Sequence, residues 1–138
     1  MFSSSDSELM FSVPKDVREE AEISLQLHQV GYEGGTATGF SRARQLVRGK
    51  VDIVTLRTMR NWFARHIVTS YPGYKKWVAD GRPTKLIPGK THSYRGAVAW
   101  ELWGGTPAYK WIQSSSIQSA LRRVYPDKDN ALYGNLKI

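Results

Sequence analysis

Residues 34–66, GGTATGFSRARQLVRGKVDIVTLRTMRNWFARH, decide the fold. Thr36 follows two glycines and precedes a periodic run, so it is placed as a helix N-cap whose side-chain oxygen accepts from an orphan amide of the first turn. Phe40, Ala43 and Val47 then recur at helical spacing and form one apolar stripe. Gly49 stops that helix, because glycine enters the left-handed backbone a helix end often needs. Asp52 stands where the next N-cap belongs, and Leu56, Met59, Phe63 and Ile67 mark the buried side of a second helix. Two short helices joined by a tight turn make a helix-turn-helix-like pair.

The other side of the second helix carries Arg57, Asn61 and Arg65, each one turn from the last, with Thr58 beside them. Arginine pairs bidentately with phosphate or guanine, and asparagine can read adenine. A face of this composition is expected to contact nucleic acid, and Arg42 and Arg48 of the first helix join the set. The plainer reading is that exposed helix faces carry charge for solubility.

Towards the N-terminus, residues 1–11 are Ser-rich and expected to form a flexible arm. A helix follows from Ser12 as cap and Pro14 in the first turn to about Val30, with Gly31 ending it. Val17, Ala21 and Leu25 form one apolar row and Ile23, Leu27 and Val30 another, so its buried stripe is wide. Asp16, Glu19 and Glu20 suit the positive end of the helix dipole. His28 has no second ligand at useful spacing and belongs to the packing.

Towards the C-terminus, residues 68–93 carry Pro72, Pro83 and Pro88 with Gly73, Gly81 and Gly89. Apart from a helical turn or two around Tyr74 to Ala79, this stretch reads as one long irregular loop. It bears Lys75, Lys76, Arg82, Lys85 and Lys90 interleaved with Tyr71, Tyr74 and Trp77, the chemistry of backbone and base-stacking contacts to nucleic acid. For Trp77 the better reading is an anchor that pins the loop to the core. Ser93 is placed to cap a helix from Tyr94 to Trp103, Gly104-Gly105 ends it, and Thr106-Pro107 begins another. Ser114-Ser115-Ser116 then breaks the chain before a helical row of Ile117, Ala120, Leu121 and Val124.

The resulting expectation is an all-α fold: a compact bundle of about five short helices in residues 12–125, with a long irregular basic loop and a tail over 126–138. That tail carries Leu132, Tyr133, Leu136 and Ile138, an apolar strip for its own core or for a neighbouring subunit in a homo-oligomer. The length of 138 residues suits one domain. Five tryptophans are enough to furnish a core. The absence of cysteine excludes disulfides and thiolate metal ligands. No run is apolar enough for a membrane span, and the first residues lack the pattern of a secretion signal, so the expected place is a host cytoplasm or a particle assembled there.

Charge is unevenly distributed. Residues 1–33 carry a net −5, whereas residues 34–125 hold sixteen Lys or Arg against Asp52, Asp80 and Glu101, a net +13. An acidic first helix can neutralise part of that body, but a large surplus remains for an external polyanion. The basic body has few carboxylates, no cysteine and scattered histidines. An acid–base pair is hard to build there, so no catalytic residue, metal or cofactor is expected.

Three motifs in order, GGTATGFSRARQLVRG, TLRTMRNWFARH and GAVAWELWGGTPAYKW, resemble a small domain that recurs in proteins of tailed bacteriophages and of large DNA viruses of algae. The resemblance covers roughly residues 13–112. Trp62 stands where that family often has Phe, Thr106 stands where Asp is common, and the 68–93 stretch diverges. The resemblance implies a viral setting and a virion-associated role, and no mechanism. Two functions are therefore expected in turn. The first is a non-enzymatic virion protein that contacts nucleic acid, DNA before RNA. The second is a purely structural assembly subunit (minor capsid, cement, neck or connector) that meets acidic protein surfaces.

Overall fold

The computed structural model describes residues 9–126, an all-α fold with six helices and one two-stranded ribbon among them. The helices are α1 (Lys15–Gln29), α2 (Ala37–Arg48), α3 (Ile53–Ala79), α4 (Arg95–Leu102), α5 (Gly105–Ile112) and α6 (Ser115–Val124). The strands β1 (Met10–Ser12) and β2 (Lys50–Asp52) pair antiparallel, Phe11 opposite Val51. Ser12 thus lies in a strand instead of capping α1, and Pro14 holds the N-cap position without a side-chain cap. The arm expected over 1–11 meets the description only in its last residues, of which Met10 and Phe11 are in the ribbon. The rest of it, and the tail from 127 onward, lie outside the described residues.

The central pair forms as its caps dictate. Thr36 Oγ1 accepts from the Gly39 amide at 3.1 Å, and Asp52 Oδ1 accepts from the Thr55 amide at 2.8 Å. Gly49 closes α2 at φ 95°, a conformation that costs an L side chain about 1 kcal/mol or more. Its carbonyl accepts from the Val13 amide at 2.9 Å, which ties the β-ribbon to the helix pair.

The long loop expected over 68–93 is helix in its first half, up to Ala79. α3 runs for 27 residues straight through Pro72, and only residues 80–94 are irregular. A proline inside a helix forfeits one backbone hydrogen bond and crowds the preceding turn, at roughly 3 kcal/mol. Packing of the downstream turns offsets that penalty. Tyr71 and Tyr74 lie 5.0 and 6.2 Å from the Trp100 ring, and Trp77 is fully buried. Local propensity is a weak prior against this much buried aromatic area. The irregular segment is itself pinned. Tyr32 Oη donates to the Pro83 and Lys85 carbonyls, Trp77 Nε1 donates to the Pro83 carbonyl at 2.9 Å, and Tyr94 Oη donates to Asp80 Oδ2 at 2.6 Å. The Asp80 bond, then burial, pushes the Tyr94 hydroxyl up to about 12.

The core collects Leu27, Leu46, Leu56, Phe63, Trp100 and Tyr109 around the crossing of α3 and α4. Two glycines bring those helices together. A Cβ on Gly96 would stand 2.6 Å from the Ser70 carbonyl oxygen, and one on Gly73 would stand 2.9 Å from the Gly96 Cα. Gly96→Ala therefore sets a helix-propensity gain of about 1 kcal/mol against overpacking on rigid backbone, which costs about 1–3 kcal/mol or more. The expected net result is destabilisation and a lower denaturation midpoint, read by urea unfolding with the slope unchanged.

Candidate nucleic-acid interface

The predicted contact residues do not form one face. Arg57 lies with its guanidinium carbon 4.5 Å from the centre of the Tyr125 ring, just beyond α6, so it is engaged by its own chain. Asn61 has its Oδ1 sealed from solvent and without a hydrogen-bond partner among the described residues, so this atom is not offered to a base. Of the three, Arg65 alone is exposed. The helix pair is present, but its expected single contact face is not formed, for a tertiary reason. α6 packs on α3, and residues one turn apart on the same helix end in different environments.

Arg42 and Arg82 are also engaged internally. The Arg42 guanidinium donates through Nη1 to Gln45 Oε1 and sits 5.4 Å from the Trp103 ring centre. Burial lowers its pKa, with Asp52 opposing. Arg82 donates through Nη2 to Glu20 Oε2 at 2.7 Å and stands 3.6 Å from Glu101 Oε2. Burial pulls the Arg82 pKa down, but the hydrogen bond and charge of Glu20, then Glu101, hold it above its ordinary value. This arginine binds α1 to α4 across the core and is removed from the nucleic-acid set.

Arg48, Arg65, Lys75, Lys76, Lys85 and Lys90 remain exposed. Continuation of α3 through Pro72 places Arg65, Lys75 and Lys76 on one helix. Arg65 and Lys76 are three turns apart, about 16 Å along the axis and on the same side. Val68, Thr69 and Pro72 are the exposed residues between them. This stripe was not legible as such, because the proline made the sequence look broken.

A cleft of 340 Å³ opens beside Arg65, between the first turn of α2, the middle of α3 and the end of α4. His66 lines it, stacked on Trp62 at 4.9 Å, and Trp62 stacks in turn on Trp103 at 4.9 Å with the rings 13° apart. Arg42 caps the far end of this ladder. Burial, then the charge of Arg65, lowers the His66 pKa, so the imidazole is neutral at neutral pH and the cation of the cleft is Arg65. Trp103 thus forms a wall of the cleft, a role with no local signal in the sequence.

Among the described residues, no cluster of three or more His, Asp or Glu could hold a metal ion, and no helix is long and apolar enough to cross a membrane. Fold and surface together define a small all-α domain with a basic stripe on its longest helix and a cleft at one end of that stripe. No family model, no curated protein and no solved structure matches this chain.

Proposed function

We propose that this is a non-enzymatic, virion-associated viral protein that contacts nucleic acid through the outer stripe of α3 and through the exposed lysines Lys85 and Lys90. The observation that supports the contact is the surface charge. Among the described residues, fourteen Lys or Arg are exposed against five Asp or Glu, even after Arg42, Arg57, Arg60 and Arg82 are set aside as wholly or partly buried. Such a surplus repels itself and draws a polyanion. The viral setting rests on the order and spacing of the GGT, RAR, FARH and AWELWGG motifs. Localisation to the virion or the host cytoplasm is part of the same proposal.

The test is a gel shift on duplex and single-stranded DNA with a salt titration. Combined Arg65→Ala, Lys75→Ala and Lys76→Ala should reduce affinity about 10–100-fold near 0.1 M salt. It should also flatten the salt slope by roughly two to three. Equal binding and an equal slope in the triple variant would remove the stripe from the interface. The assembly-subunit reading is favoured by one observation: Val68, 76% exposed, sits in the middle of the stripe, where an apolar group suits a protein partner better than a phosphate. Presence in purified particles with no DNA shift would select that reading.

A further inference from the structure

Three side chains that line the cleft are more than nine-tenths buried and carry a hydrogen-bond donor with no partner among the described residues. They are Trp62, 8% exposed, Trp103, 4% exposed, and Ser70, 6% exposed. Their polar atoms are not among those sealed from solvent, so they reach it through the cleft they line. The contrast within the same core is sharp. Trp77 donates its indole N–H to Pro83 and Trp100 donates its own to Thr106 Oγ1 at 3.1 Å. Three donors opening on one hollow, with no acceptor of the described residues to match them, favour an acceptor-rich occupant.

The remaining lining has the same sign. Arg65 stands at the rim and the Thr38 hydroxyl at the first turn of α2. No carboxylate of the described residues lines the cleft. The Ala37 and Thr38 amides precede the first intrahelical bond, Phe40 N–H to the Thr36 carbonyl, whereas the Gly39 amide is already held by Thr36 Oγ1. The indole N–H groups and the guanidinium can only donate, and the hydroxyls of the lining can donate as well as accept, a combination that can take an anion.

We propose that the cleft bounded by Trp62, Arg65, Ser70 and Trp103 is a phosphate-binding site, with the indole N–H groups, the Ser70 hydroxyl and the Arg65 guanidinium as its donors. The volume exceeds that of phosphate alone and leaves room for the body of an ester against Ala99 and Leu102. The phosphoryl group has two sources, a free phosphate or phosphate ester and the terminal phosphate of a nucleic-acid strand. The site goes beyond the contact proposed for the α3 stripe and stands without it.

The test is a proton–nitrogen correlation spectrum of the labelled full chain, in which the five tryptophans supply five indole signals. Trp62→Phe and Trp103→Phe assign their own signals. Inorganic phosphate, added at constant ionic strength against chloride, should shift the Trp62 and Trp103 signals saturably and leave those of Trp77 and Trp100 in place. Ser70→Ala should weaken the phosphate Kd about tenfold, and Arg65→Gln by at least as much. A stronger response to a 5′-phosphorylated oligonucleotide than to its 5′-hydroxyl twin supports the site and identifies a strand end as the source. A response to inorganic phosphate with no preference between the two strands supports the site with a free ester as its ligand. No saturable shift of either indole signal overturns the proposal, whatever the gel shift of the α3 stripe shows.

Discussion

Trp100→Ala is expected to cost about 3–5 kcal/mol and to abolish a cooperative unfolding transition at physiological temperature. The residue is fully buried at the α3–α4 crossing. Its ring lies 4.9 Å from Phe63 edge-on, 5.0 Å from Tyr71 and 6.0 Å from Tyr109. Truncation leaves a cavity among rigid rings that cannot collapse into it, and leaves Thr106 Oγ1 without its indole donor. It also removes the packing that carries α3 past Pro72, so helix content should fall by more than one side chain accounts for. Trp100→Phe keeps the ring contacts, loses the hydrogen bond, and should cost only about 1–2 kcal/mol. Circular dichroism with urea unfolding measures both variants. Equal losses for Ala and Phe would mean that the hydrogen bond, and not the ring, carries the crossing.

The second large effect concerns Arg82 and the two carboxyls it serves. Glu101 is fully buried and Glu20 is 7% exposed. Arg82→Met keeps much of the stem but leaves these groups facing each other without a cation. Breaking a buried pair costs about 3–5 kcal/mol. The Arg82 side chain is 38% exposed, so water can replace part of what it supplied, and a loss of about 1–3 kcal/mol is expected. DNA affinity and its salt slope should stay unchanged, which separates a core arginine from a phosphate contact.

Burial, then the charge of Glu20, holds the Glu101 carboxyl well above the usual carboxylate range, with Arg82 opposing. The folded chain therefore keeps a proton that the unfolded chain releases. The resulting stabilisation is full below the ordinary value of 4.5 and is lost as pH rises through the raised one. Glu101→Gln, which cannot ionise, should track wild type in acid and fall off less steeply as pH rises. Parallel pH–stability curves for the two proteins would show that Glu101 is charged in the fold.

Charge identity was plain from the residues, but charge placement was not. Arg57, Asn61 and Arg65 share a helical period, yet α6 and Tyr125 take one of them and only one remains open to solvent. Arg82 looked like a loop cation because nothing near it in sequence reveals Glu20, 62 positions away. Ser70, Trp62 and Trp103 had no ligand-binding pattern of their own. They come to line one cleft only once α4 crosses α3 at Gly73 and Gly96.

By itself the sequence determined the helical class, the caps at Thr36 and Asp52, the glycine stop at Gly49 and the excess of positive charge. These are consequences of hydrogen bonds and backbone geometry within a few residues, or of composition alone. Tertiary packing decided that α3 outlasts Pro72, which arginines turn inward and where a donor-lined cleft opens. Each of those outcomes depends on buried area and on partners distant along the chain, whose free energies exceed the local preferences that the sequence displays.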